Sequence, residues 1–174
     1  PEATKEIMMP DTWNGFPGLR TGDRGWFDDE GFLHVTGRFK DEYKLANGKY
    51  VHPEGIENEI KLVRYVVHAM LYGDGKDYNV CLIVPDFAVL KADPNIKPLL
   101  KDTLEESLMD KAVLNYLSKD ITAHLRKTYG SYEVPQKFLF TAEDLTLENG
   151  MVTQTMKVKR ANVMKKYGEQ LQAL

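Results

Sequence analysis

The pair Asn47-Gly48, set between Tyr43-Lys44-Leu45 and Lys49-Tyr50-Val51, is the strongest local constraint in this chain. Asn-Gly between two short runs predicts a hairpin whose turn positions both take positive φ. A second hairpin is predicted just before it, because Trp26-Phe27 and Phe32-Leu33-His34-Val35 flank the turn Asp28-Asp29-Glu30-Gly31. A further turn is expected at Asn149-Gly150. A chain punctuated this often can form only short strands, which need helices packed against them to bury a face.

The helices announce themselves by spacing. Pro53 sits where a first helical residue would, with Glu54 and Glu57 favouring the helix dipole and Ile56, Ile60 and Val63 at helical intervals. Asp110 is placed to cap a longer helix with the apolar face Val113, Leu114, Leu117, Ile121 and Leu125. A closing helix carries Val163, Met164, Tyr167 and Leu171 on one side. Between them, Tyr65 to Tyr72 and Tyr78 to Val84 read as strands around the loop 73–77, and Lys137 to Thr141 reads as another. The stretch from Ala92 to Leu108 is helix-prone but broken by Pro94 and Pro98, and residues 1–22 read as an irregular approach segment with breakers at Pro10, Gly15, Pro17 and Gly18. The pattern predicts an α+β fold, helices packed on a small sheet and hairpins, with no repeats and no Gly-rich dinucleotide fingerprint.

Composition narrows the chemistry. With 43% hydrophobic and 28% charged residues the chain can bury a core. A net charge of −3 argues against nucleic acid as a main partner. The basic cluster Lys157, Lys159, Arg160, Lys165 and Lys166 reads first as a solvated helix face. Cys81 lies in the apolar run Val80-Cys81-Leu82-Ile83-Val84 and reads as a buried inert thiol. His34, His52, His68 and His124 show no ligand spacing, so no metal site is expected. No apolar run approaches the ~20 residues that span a bilayer. The chain opens Pro1-Glu2-Ala3, with neither an initiating Met nor a signal peptide, which suggests a piece of a longer protein.

Three features in fixed order carry the functional signal: Arg20-Thr21-Gly22-Asp23, then Gly37-Arg38-Phe39-Lys40-Asp41-Glu42-Tyr43-Lys44, and a lysine, Lys157, near the end. In that order they resemble the last three signature motifs of the adenylate-forming enzymes. The stretch Tyr43 to Val51, followed by Pro53-Glu54 and Ile56-Glu57, is most similar to the long-chain acyl-CoA synthetases. So is Glu148-Asn149-Gly150 ahead of Lys157-Val158-Lys159-Arg160. The resemblance is strong over 19–60 and 145–168 and weak between 90 and 130. The Thr/Ser/Gly-rich loop that grips ATP phosphates in that family is absent from these 174 residues.

The resemblance implies a division at the hinge, with 1–39 the tail of a large N-terminal adenylation domain and 40–174 a mobile C-terminal lid. It implies that Asp23 accepts both ribose hydroxyls of ATP, a task suited to a two-oxygen carboxylate. Arg38 would meet the ribose and phosphate, although an ion pair with Asp41 or Glu42 is the plain alternative. Lys40 falls on the hinge position, or is simply a solvated lysine. Lys44 would reach the acyl-adenylate in the thiol step, and Gly48 would let the CoA arm pass close to the backbone, though an Asn-Gly hairpin needs that glycine anyway. Lys157 would stabilise charge building on phosphate as a carboxylate attacks ATP, with Lys159 its rival. Met156 stands where the family usually has Gly.

The implied activity is that of an acid–thiol ligase. Fatty acid, ATP with Mg2+, and CoA give acyl-CoA, AMP and pyrophosphate through acyl-AMP, and the fragment is inactive alone. Two other readings stay open. One is an acyl-AMP ligase loading a carrier protein, and the other is a free-standing, non-catalytic binding module. The expected location is the cytoplasm or the periphery of an intracellular membrane.

Overall fold

The computed structural model describes residues 2–10 and 15–174. Its centre is a three-stranded sheet in the order β7 (Val66–Tyr72), β8 (Val80–Pro85) and β9 (Lys137–Phe140). β7 and β8 are antiparallel, with Leu71 opposite Cys81 and Tyr72 opposite Val80. β9 joins parallel to β8, pairing Val80 with Lys137 and Ile83 with Phe140. A parallel return needs a crossover. Here it runs through α3 (Phe87–Ala92), α4 (Leu104–Ser107) and α5 (Lys111–Leu125).

Every residue of β8 is buried, as expected of a central strand covered on both faces. Alternation sorts its side chains. Cys81 and Ile83 enter a core built with Ile56 and Ile60 of α2 (Pro53–Ile60) and with Val113, Leu117, Ile121 and Leu125 of α5. Val80, Leu82 and Val84 enter a second core with Val163, Tyr167 and Leu171 of α6 (Arg160–Ala173). The expected stripes are therefore the buried ones, except that Leu114 and Met164 sit at the margins, half-buried. Asp110 caps α5 by accepting the Ala112 N–H at 2.8 Å. Cys81 is fully buried, and desolvation pushes its thiol well above the ordinary range.

The first forty residues behave differently. α1 (Glu2–Ile7) leads into β1 (Met8–Met9), which pairs with β2 (Gly18–Leu19), so this segment is more regular than its breakers predicted. Pro10, Gly15 and Pro17 all fall between the two paired dipeptides and leave the pairing intact. β3 (Asp23–Phe27) and β4 (Leu33–Arg38) form the first predicted hairpin. Among the described residues, every buried apolar side chain lies at Leu45 or later. Phe16, Trp26, Phe27, Phe32, Leu33, Val35 and Phe39 all remain more than half exposed. No described helix is long and apolar enough to cross a membrane.

The second hairpin, β5 (Tyr43–Lys44) and β6 (Tyr50–Val51), is tied to the sheet by the fully buried Asn79. Tyr43 Oη donates to Asn79 Oδ1 at 2.6 Å, and Asn79 Nδ2 donates to the carbonyls of Tyr132 and Glu133 at 2.9 and 3.0 Å. Gly73 makes room for this, because a Cβ there would lie 2.4 Å from Asn79 Oδ1. Replacing Asn79 by Ala strands a buried hydroxyl and two carbonyls. We expect it to cost about 2–4 kcal/mol in denaturant unfolding, whereas a loss below about 0.5 kcal/mol would show that water replaces the amide.

Candidate active site

Asp23 and Arg38 are placed by strand register. They stand directly opposite each other on β3 and β4, and Arg38 Nε lies 3.0 Å from Asp23 Oδ1. The alternative partners foreseen for Arg38, Asp41 and Glu42, are not the ones it takes. Glu42 instead faces Arg24 Nη1 at 3.4 Å and His52 Nε2 at 3.7 Å. Lys40 follows in an exposed turn, flanked by bonds from Phe39 N–H to Gly22 O at 3.0 Å and from Asp41 N–H to Arg38 O at 3.2 Å.

Lys44 and Gly48 also come together. A Cβ on Gly48 would meet only Lys44 Cε, at 3.7 Å, so the lysine stem runs over the bare glycine. The Lys44 ammonium sits 5.4 Å from the Tyr50 ring centroid. The turn differs from the expected one. Leu45 N–H donates to Lys49 O and Gly48 N–H to Leu45 O, each at 2.9 Å. Gly48 has φ 86°, while Asn47 is not in the positive-φ region. This is a three-residue loop with one left-handed position rather than a two-residue turn with two.

The loop before Lys157 has the same bonds. Thr153 N–H donates to Lys157 O at 2.8 Å and Met156 N–H to Thr153 O at 2.9 Å. So does the β3–β4 loop, through Asp28 N–H to Phe32 O and Gly31 N–H to Asp28 O, both 3.0 Å. The left-handed residue is Gly31 at φ 87° in one loop, Gly48 in the second and Met156 at φ 59° in the third. Met156 is the one non-glycine residue with positive φ among those described. The chain thus keeps the glycine conformation where it lacks the glycine, at a cost of about 1–2 kcal/mol for an L side chain.

Lys157 projects from that loop into a cleft of about 440 Å³ lined by Glu54, Glu57, Lys61, His68, Met156 and Arg160, among others. Its Nζ lies 3.8 Å from Glu54 Oε1, the lysine side chain 73% and the glutamate 42% exposed. Lys159, the rival, does not line the cleft; it sits at the N-cap of α6 and donates its N–H to Met151 O at 2.7 Å. Lys157 thus pairs with Glu54, Asp23 with Arg38, and Lys44 lies against Gly48.

The cleft contains residues whose part the sequence reading missed. Arg160 is not on a solvated face: its Nη2 donates to Glu57 Oε1 and its Nη1 to Leu71 O, each at 2.6 Å. Lys166, another of that cluster, pairs with Glu143. Glu57 also accepts the Leu71 N–H at 2.6 Å. Burial pushes the Glu57 carboxyl above its ordinary range, opposed by the Arg160 guanidinium. The available signal was spacing, since Glu54 and Glu57 are three apart and so are Lys157 and Arg160.

His68 is buried at the cleft, its Nε2 3.5 Å from Asp144 Oδ1. Desolvation lowers its pKa, against the pull of the Asp144 carboxylate. The unfolded chain then takes up a proton first. Stability is intact above about 6.5, the unfolded value, and falls as pH drops below it. Melting temperatures from pH 7.5 to 5 are expected to fall more steeply for the wild type than for His68→Gln, and parallel curves would contradict this. Met156→Gly is expected to raise unfolding free energy by about 1 kcal/mol, measured by urea denaturation. A destabilised variant would mean that contacts of the Met side chain outweigh the backbone strain.

No protein-family model matches the chain. Along its length it is similar to mouse long-chain-fatty-acid–CoA ligase 5, 30% identical over 180 residues covering 100% of this chain and 25% of that protein. The FadD15 long-chain-fatty-acid–CoA ligase of Mycobacterium tuberculosis is 32% identical over 99% of this chain and 28% of its own length. The chain thus spans about a quarter of the length of these relatives. Among solved structures it is similar to the adenylation domain of a carboxylic acid reductase from Segniliparus rugosus in complex with AMP, with TM-score 0.79, 26% identity, and coverage of 99% of this chain and 25% of that one. Over its full length, then, the chain is homologous to the C-terminal portion of the long-chain-fatty-acid–CoA ligases, and its α+β fold is one found in adenylate-forming enzymes.

Proposed function

We propose that this chain is the mobile C-terminal domain of an ATP-dependent long-chain fatty acid–CoA ligase, residues 40–174, carrying a short tail of the preceding adenylation domain, residues 1–39. The observation that carries this reading is the presentation of Lys157. A left-handed residue sets it at the end of a hairpin over an open cleft, with only a weak exposed partner. An ammonium held this loosely can transfer to a phosphate oxygen at little cost. The boundary is supported by burial, since the core begins at Leu45 and the apolar side chains of the first forty residues lie open, as they would if a further domain covered them.

In the first step the fatty-acid carboxylate attacks the α-phosphorus of ATP, and pyrophosphate leaves. Lys157 offsets the charge that builds on the phosphate oxygens. Asp23 and Arg38 bind the ribose side of the nucleotide, and Asp23 exchanges its pairing with Arg38 for the ribose hydroxyls. In the second step the CoA thiol attacks the acyl carbonyl and AMP leaves. Lys44 faces the acyl-adenylate, with the pantetheine arm passing the bare Gly48. Lys40, in its exposed turn, supplies the backbone rotation that exchanges one station for the other. Among the described residues no three His, Cys, Asp or Glu side chains converge to hold a metal ion. Mg2+ enters this reading as the companion of the ATP phosphates. The proposed location is the cytoplasm or the surface of an intracellular membrane.

A second reading keeps the first step and changes the acceptor to a carrier protein. One of the similar structures, at 26% identity and TM-score 0.77, is an adenylation–carrier didomain of a carboxylic acid reductase. Both readings are tested in the polypeptide that carries this chain. Lys157→Ala is expected to lower fatty-acid-dependent ATP–pyrophosphate exchange by about 10²–10³-fold. Lys44→Ala is expected to leave exchange intact and slow thioester formation from supplied acyl-AMP. CoA and a carrier protein compared as acceptors separate the two readings. Wild-type protein without exchange activity would turn the assignment toward a binding module.

A further inference from the structure

β7 is an outer strand of the sheet, so the peptide groups on its free side need partners other than a neighbouring strand. At Leu71 two side chains supply them. The Glu57 carboxylate accepts the Leu71 N–H and the Arg160 guanidinium donates to the Leu71 carbonyl, while the two side chains bond each other, all three contacts at 2.6 Å. The pair fills the hydrogen-bonding place of the absent strand and locks α2, β7 and the start of α6 at one point. Arg160 is the first residue of α6 and lies three residues after Lys157. Between them, Val158 bridges back to Val152 and Lys159 N–H to Met151 O. The lysine loop therefore stands on a short base whose lower end is fixed by the Glu57–Arg160 pair.

The spacing repeats on both partners. Glu54 and Glu57 face Lys157 and Arg160 as two rungs, an exposed one at 3.8 Å and a mostly buried one at 2.6 Å. The outer rung is weak and screened by salt, so it can open. The inner one cannot open without stranding a buried charge and two peptide groups. Fixed base and free tip together are what a charge-delivering lysine requires.

We infer that Glu57 and Arg160 are positioning residues for Lys157, fixing the base of its hairpin for the acyl-adenylate-forming step. This rests on the function proposed above. Both residues act through the hairpin and need touch no substrate.

The test uses the polypeptide that carries this chain, with ATP–pyrophosphate exchange and thioester formation from supplied acyl-AMP measured separately. Arg160→Met and Glu57→Gln are expected to lower exchange about 10–100-fold, as displacement of a reacting group by an ångström or so does. Thioester formation should stay within about two-fold, and Arg160→Lys should recover part of the loss. In a Lys157→Ala background Arg160→Met should cost nothing further, because residues acting as one unit are not additive. Equal loss in both half-reactions, tracking the melting temperature, would assign the pair a structural role only and overturn the inference. An undiminished effect of Arg160→Met without Lys157 would overturn it too. If Lys157→Ala alone leaves exchange unchanged, the proposed function fails first and this inference with it.

Discussion

The free edge of β7 is the constraint on which the arrangement turns. A strand at the side of a sheet has backbone groups that must be satisfied, and at Leu71 this chain satisfies them with a carboxylate from α2 and a guanidinium from α6. Those two groups also neutralise one another, so a single point joins the sheet, α2 and α6. Without it α6 would still pack through Val163, Tyr167 and Leu171, which is an apolar contact without direction. The ion pair adds register. It sets where α6 begins, and thereby where the loop ending in Lys157 must stand.

A second regularity is the loop itself. Three hairpins close with the same pair of backbone bonds and one left-handed residue. Two of those residues, Gly31 and Gly48, were legible as turn glycines, although the second turn proved to be of the three-residue kind. Met156 was not legible as a left-handed position, because methionine carries no such signal and its steric cost argues the other way. It is held there by the bonds of Thr153 and by the base of the hairpin beneath it. Strain at this place is consistent with a segment shaped for something other than stability.

Much of the fold could be read in advance. Helical spacing gave α2, α5 and α6, although Val63, counted with the first, lies three residues past its end at Ile60, and the apolar run 80–84 gave the central strand. What escaped was tertiary. Nothing local says that Lys137–Phe140 returns parallel to β8 rather than pairing with its sequence neighbours. Glu57 looked like a dipole-favouring surface acid and Arg160 like one cation of a solvated cluster, since charge patterns alone do not reveal burial. Residues 1–22 carried breakers that masked a short helix and a strand pair. For the candidate site, the family resemblance in motif order pointed to Asp23, Arg38, Lys44 and Lys157. It could not say that the first two would be paired in this structure, nor that Glu54 would hold the last.

The central proposal is that the chain presents two lysines, Lys157 and Lys44, to two successive steps, and that backbone rotation at Lys40 exchanges one for the other. The most direct measurement is lysine footprinting of the polypeptide that carries the chain, using a small acylating reagent and mass spectrometry. With ATP and a fatty-acid analogue that cannot react, Lys157 should become protected while Lys44 stays reactive. With an acyl-AMP analogue and CoA the pattern should invert. If neither lysine changes its reactivity in either complex, or both change together, the account of two alternating stations is contradicted.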